Sequence, residues 1–276
     1  MKAVVVGDLH LKQSRVLPLI DAALERTGAD RVVLCGDYTD DWGASDDDQL
    51  GELAQLVAWI GGRRRAGVRV DTLMGNHDFA YLTGNGNSGT RRWLIPEVRR
   101  LLGDIDIVMA TCVDDILVTH AGVTGRWAEH RLGLPAEGDD TPVTAGQVRD
   151  KLNAWLADED RTHWNELDEV GRARGGWGLP GPLWADASEL VADPLPGLRQ
   201  IVGHTPMPTC TCLTDDEGVP GREEIWACDT FSTYRNGTPI GDASLLLVDD
   251  EPAGASDGPA PRISVLPTGL APVDVS

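Results

Sequence analysis

Three short apolar runs, residues 3–6, 31–34 and 68–73, are rich in Val and Leu, and each is followed within two residues by a glycine and a polar motif. The motifs are Gly7-Asp8-Leu9-His10, Gly36-Asp37 and Gly75-Asn76-His77-Asp78. Between the first two runs, Val16, Leu17, Ile20 and Leu24 fall at helical spacing within residues 14–26. Between the second and third, Leu50, Leu53, Leu56, Val57 and Ile60 share one face of residues 46–65, and Ser45 with Asp48 forms a capping arrangement at its start. A β-α-β-α-β order requires parallel strands joined by right-handed crossovers. In open sheets of this kind ligands gather beyond the carboxyl ends of the strands, which is where all three motifs stand.

Further strands are expected at 105–110, at 116–119 leading into His120-Ala121-Gly122, and at 199–202 leading into Gly203-His204. Residues 209–213, 224–228, 243–248 and 263–266 complete the set. Residues 125–196 differ in kind: they hold five of the nine Trp, with helical patterns at 144–157 and 161–174. They read either as a cap over the site packed by its Trp residues or as a plain helical layer. Residues 249–261 are rich in Pro, Gly and acid and read as a mobile loop. The whole, residues 1–276, is expected to form a single α/β domain with a Trp-rich helical insert at about 125–196.

Of the residues in the five segments, two Asp (Asp8 and Asp37), one Asn (Asn76) and three His (His10, His120 and His204) could converge, with the imidazole of His77 to spare. Asp8 and His10, two apart on an extended turn, can face one ion. Asp37 is the natural bridge, because each carboxylate oxygen can take one metal. Asn76 offers an amide oxygen, and His120 and His204 offer neutral ring nitrogens. Mixed oxygen and nitrogen donors suit Mn²⁺, Fe or Zn²⁺ better than Ca²⁺ or Mg²⁺. A pair of divalent metals with a bridging hydroxide implies hydrolysis of a phosphate ester. Singly, each His at a strand end is better explained as a structural imidazole; the joint pattern reverses that and favours ligation.

A formal net charge of −20 opposes binding to nucleic acid or anionic membrane, and no run is long enough to span a bilayer. Bound cations set the local field, so a small phosphorylated substrate is not excluded. The four apolar residues before Gly7 are too few for a secretory signal. Five Cys at irregular spacing suggest reduced thiols and a cytoplasmic protein. Cys210, Cys212 and Cys228 lack the fourth ligand and the spacing of a zinc ribbon. Gly84–Gly89 resembles a phosphate-cradling loop only in glycine content, and reads as a flexible loop at the edge of the site.

These residues resemble the calcineurin-like metallophosphoesterase superfamily, whose pattern is GDxH, GD, GNH(D/E), a strand-end His, and GH. The resemblance covers residues 1–122 and 199–230. It implies a two-layer β-sandwich flanked by helices. It also implies that Asp8, His10 and Asp37 hold one metal, while Asp37, Asn76, His120 and His204 hold the other. His77 would protonate the leaving oxygen, oriented by Asp40. Gly203-His204-Thr205-Pro206, Asp229-Thr230 and the Leu183-Trp184 pair look like the phosphoprotein-phosphatase branch, which includes bacterial serine/threonine phosphatases and symmetrical diadenosine tetraphosphatases.

That branch normally reads GDxxDRG, and here Asp41 stands where the phosphate-clamping Arg belongs. A second Arg expected shortly after Leu183-Trp184 is also absent, with Asp186 nearby. Arg91, Arg92, Arg172 and Arg174 are the candidate replacements, although each taken alone reads more readily as a solvated surface charge. The expected substrate is a small phosphomonoester or a phosphoprotein, with a dinucleoside polyphosphate or other nucleotide as the alternative. A non-catalytic metal-binding relative is the third reading, and the intact ligand set argues against it.

Overall fold

The computed structural model describes residues 1–134, 143–214, 224–249 and 262–269. Their chain order begins β1 (Lys2–Val6), α1 (Gln13–Thr27), β2 (Arg31–Leu34), α2 (Asp46–Arg65), β3 (Arg69–Thr72), α3 (Asn76–Thr83) and α4 (Ile95–Gly103). It continues with β4 (Ala110–Val113), β5 (Ile116–Thr119), α5 (Gly125–Trp127), α6 (Ala145–Ala157), α7 (Trp164–Leu167) and α8 (Ala187–Ala192). The remaining strands are β6 (Gln200–Pro206), β7 (Thr211–Cys212), β8 (Ile225–Asp229), β9 (Leu245–Asp249) and β10 (Arg262–Leu266).

Among the described residues these strands form two five-stranded sheets, in the orders β10-β9-β1-β2-β3 and β4-β5-β6-β8-β7. The β1-β2-β3 and β5-β6-β8 pairings are parallel. Alternation explains how the layers stack. Ala3 and Val5 of β1 pack with Ile116 and Val118 of β5 between the sheets, whereas Val4 and Val6 face Val16, Ile20, Leu53 and Leu56 of the helical layer. Each fully buried Val or Leu in these interfaces contributes about 1.5–3 kcal/mol. The result is the expected two-sheet α/β sandwich flanked by helices.

Local signals explain most element ends. Ser45 and Asp48 make a reciprocal capping box at the start of α2. Its last turn carries Arg63, Arg64 and Arg65, with Arg64 bonded to Asp106 at 2.8 Å. Gly28, at φ +68°, terminates α1.

Two expectations require correction. Residues 105–109 are not a strand; β4 begins only at Ala110. This run crosses from one layer to the other, with Ile105 buried in the helical layer over the first sheet and Met109 in that over the second. A single bridge, Leu73 to Val108, ties it to the edge of β3. Burial on both sides mimics the apolar signature of a strand. Residues 161–174 do not form one helix either; α7 stops at Leu167 and only a short turn, Arg172–Arg174, follows. Gly171 is extended, and Gly176 N–H folds back onto its carbonyl at 2.9 Å. The sequence reading also passed over α3 and α4, the first because its opening residues are the third motif itself.

Residues 125–196 supply the layer over the second sheet, where Trp127, Trp155 and Trp164 pack with Leu117, Val148 and Leu152. Trp184 packs against the same cluster and also lines the cavity described below, and Trp177 is exposed. The acidic run at 249–261 lies outside the described residues from position 250 onward.

Candidate active site

All five motif segments converge at the carboxyl ends of the parallel strands. Asp8 and His10 follow β1, Asp37 follows β2, Asn76 opens α3 after β3, His120 follows β5, and His204 lies in β6. Two glycines make the convergence sterically feasible. A Cβ on Gly75 would overlap the main chain and carboxylate of Asp37, and one on Gly203 would overlap the carboxylate of Asp8. Four site residues adopt left-handed backbone: His10 at φ +40°, Asp37 at +51°, Asp40 at +60° and His204 at +63°. Such conformations cost about 1–3 kcal/mol each and persist only when surrounding structure imposes them.

The carboxylate and imidazole atoms form two overlapping groups, Asp8–His10–Asp37 and Asp37–His120–His204, with the donor atoms of each group within 4.8 Å of one another. Hydrogen bonding fixes which ring nitrogens face inward. Nδ1 of His10 lies 2.9 Å from the Asp40 carbonyl, and Nδ1 of His120 lies 2.9 Å from the Cys35 carbonyl. A carbonyl can only accept, so each Nδ1 carries the proton. Burial pushes the pKa of His120 down to about 3 and that of His10 well below its usual value, so both rings are neutral. Each therefore presents a bare Nε2.

Those bare nitrogens point at other electron-rich atoms. Nε2 of His10 lies 3.6 Å from Asp37 Oδ2 and 3.8 Å from Asp8 Oδ2. Nε2 of His120 lies 3.7 Å from Asp37 Oδ2, 2.9 Å from Asn76 Oδ1 and 3.1 Å from His204 Nδ1. Nε2 of His204 is buried without a hydrogen-bond partner. Apart from the His204 ring, whose Nδ1–H can donate to His120 Nε2, these contacts set acceptor against acceptor and are repulsive unless a proton or a cation lies between them. The carboxyls add to the same imbalance. Burial, with repulsion from Asp229 and Asp37, raises Asp8 well above the usual range, and burial lifts Asp37 to about 8. The donor set thus fits divalent metal, with Asp37 common to both groups.

His77 differs from the other imidazoles. Its Nδ1 lies 3.0 Å from Asp40 Oδ2, and its main-chain N–H donates to Asp37 Oδ1 at 2.9 Å. Burial opposes its charge, yet the carboxylates of Asp37 and Asp40 outweigh that and lift its pKa to about 9. His77 is therefore a charged donor at neutral pH. Asp40 is itself fixed by the Tyr81 hydroxyl, which donates to Oδ1 at 2.7 Å.

The site opens into a cavity of about 330 Å³ whose walls include Trp42, Asn87, Arg174 and Trp184. Of the four candidate arginines, Arg174 lines it. Its Nε pairs with Asp186 Oδ2 at 3.1 Å, and Nη2 donates to Thr205 Oγ1 at 3.0 Å. The carboxylate standing where a second Arg was expected thus anchors an Arg that arrives from an earlier segment. Arg91 is not a lining residue; it is held by Gln49, Asp46 and the Ala44 carbonyl. Arg92 bonds the Asn85 carbonyl and Arg172 is exposed, neither lining the cavity. Asp41 does line it, with its charge met by the buried ammonium of Lys12 at 2.8 Å. The loop 84–89 borders the cavity through Asn87, Ser88 and Gly89.

Sequence reasoning missed Asp78, Tyr81 and Lys12. Oδ1 of Asp78 accepts from the amides of Tyr38 and Thr39 while Oδ2 accepts from that of Gly75, which joins the second and third motifs. Its place in Gly75-Asn76-His77-Asp78 was a signal, since an acid two residues into a helix reaches back to free amides.

The sequence profile of the calcineurin-like phosphoesterase family matches residues 1–220. No curated protein matches the chain. Among solved structures, the cold-active protein-tyrosine phosphatase of a psychrophilic Shewanella species superposes with a TM-score of 0.52 at 20% identity, over 89% of this chain and 74% of that one. A second structure of a cold-active protein-tyrosine phosphatase gives 0.50 at 20% identity, over 89% and 73%. A candidate diadenosine tetraphosphatase gives 0.41 at 14% identity, over 90% and 88%. At these identities the likeness concerns the fold.

Proposed function

The chain belongs to the calcineurin-like phosphoesterase family, and from that premise we propose that it hydrolyses a small phosphomonoester at a centre of two divalent cations, Mn²⁺ by preference. The observation that carries this reading is the bare Nε2 of His10 and of His120, aimed at the same Asp37 oxygen from 3.6 and 3.7 Å. Asp8, His10 and Asp37 would hold one ion; Asp37, Asn76, His120 and His204 the other. Ions held there supply an activated water and neutralise phosphoryl charge.

The remaining steps belong to the chain's own groups. Arg174 meets the anionic phosphoryl group from the cavity wall, pre-aligned by Asp186 and Thr205. Asn76 adds an amide dipole at the floor. His77 gives a proton to the leaving oxygen, and Asp40 with Tyr81 holds the ring in line. The described cysteines are all unpaired thiols, which supports a reducing, cytoplasmic setting. No helix among the described residues is long and apolar enough to cross a membrane. A single folding unit over residues 1–276 completes the proposal.

The test is hydrolysis of p-nitrophenyl phosphate by chelator-stripped protein, before and after Mn²⁺ is added, beside a His77→Ala control. The expected result is activity that returns with Mn²⁺ and is absent from the control. A His77→Ala protein as active as the native chain would refute the assignment.

A further inference from the structure

The cavity walls carry a feature that phosphoryl chemistry does not require. Trp42 lines the cavity yet is 53% exposed, and the Arg235 guanidinium lies 5.7 Å from its ring centroid. Its loop is well held. Asp78 accepts from the amides of Tyr38 and Thr39, Gln49 accepts from that of Asp40, and Asp41 pairs with Lys12 and accepts from the amide of Trp42. A large apolar ring on an anchored loop, half in water and with a cation against it, is a stacking platform for a flat partner.

Its place in the loop says which part of the substrate it meets. Asp40 holds His77, the proton donor, and Trp42 follows Asp40 by two residues. Both line the cavity with His77. Arg174 and Trp184 line it beside His204. The ring thus shares one cavity with the group that would protonate the leaving oxygen.

We propose that Trp42, backed by Arg235, is the leaving-group subsite, and that the substrate is a phosphomonoester of a flat aromatic ring. This rests on the phosphohydrolase reading above. Water forms the new P–O bond, the bond from phosphorus to the ring-bearing oxygen breaks, and that oxygen takes its proton from His77. The products are a phenol and inorganic phosphate.

The test uses Mn²⁺-loaded protein and two probes that cannot be hydrolysed, phenylphosphonate and methylphosphonate, beside turnover of phenyl phosphate and glycerol 2-phosphate. The native chain should bind phenylphosphonate about tenfold more tightly than methylphosphonate, the scale of one stacked ring. Trp42→Ala should erase that preference, and Trp42→Phe should largely restore it. Trp42→Ala should also cost phenyl phosphate about tenfold more in kcat/KM than glycerol 2-phosphate, chiefly through KM. Equal binding of the two phosphonates by the native chain, or a preference that survives Trp42→Ala, overturns the subsite. Trp42-dependent phosphonate binding without hydrolysis of either ester supports the subsite and refutes the phosphohydrolase reading instead.

Discussion

The floor and the rim of the cavity are built on different principles. The floor is made of residues that end strands: Asp8, Asp37, His120 and His204 are at most 7% exposed, and their positions follow from parallel β1-β2-β3 and β5-β6 pairing. The rim comes from connections: Trp42 from the loop after β2, Asn87 from the loop after α3, Arg174 and Trp184 from the segment between β5 and β6. Strand pairing sets the floor, and the close approach of Gly75 to Asp37 and of Gly203 to Asp8 holds it. The rim depends on side-chain anchors such as Asp186 for Arg174 and Lys12 for Asp41. Changes to the floor should therefore abolish chemistry for every substrate. Changes to the rim should alter which substrates are taken.

The largest effect is expected at Asp37, whose Oδ2 both imidazoles face. Asp37→Asn should drop turnover below detection for all esters while circular dichroism stays native; residual activity above a few per cent would break the distinction between floor and rim. His77→Ala comes next, with a loss in kcat of about 10²–10⁴-fold, the usual contribution of a positioned proton donor. Because the Asp40 carboxylate favours protonated His77, activity should fall at alkaline pH as that proton is lost. Asp40→Asn should move the alkaline limb to lower pH, and an unmoved limb would mean that another group donates.

The floor also carries a stability signature. Burial raises Asp37 to about 8 and Asp78 and Asp229 to about 6, so the metal-free fold binds protons that the unfolded chain has released. Stability from that source is complete below the ordinary carboxylate range and is lost as pH rises through about 6 and then about 8. The Tm of stripped protein should fall by about 5 °C or more between pH 5 and pH 8.5, given about 2–4 °C per kcal/mol in a chain of this size, and Mn²⁺ should reverse the fall. A Tm that rises over that interval would contradict it. The smallest effect is at the rim: Arg174→Ala should raise KM about tenfold with kcat little changed, the scale of one charge-assisted contact. A fall in kcat alone would move Arg174 from rim to reaction centre.

The same division decided what the sequence revealed. Each candidate ligand of the floor sits at or just beyond the end of an apolar run, a short-range pattern that survives without knowledge of the fold. Asp40, three residues beyond Asp37, was legible only through the family resemblance. Arg174 could be named only as one of four, because its selection depends on Asp186, Thr205 and the loss of helix around Gly171. Lys12 left no signal, since its ion pair with Asp41 closes over 29 residues. The stretch before β4 misled because burial from two layers imitates strand periodicity.

The most direct measurement is the number of Mn²⁺ ions bound per chain, counted by calorimetric titration and by electron paramagnetic resonance of the stripped protein. Two overlapping ligand groups sharing Asp37 predict two ions whose spins are coupled, with the coupling lost in Asp37→Asn. One isolated ion per chain, or two uncoupled ions unaffected by Asp37→Asn, would contradict the account.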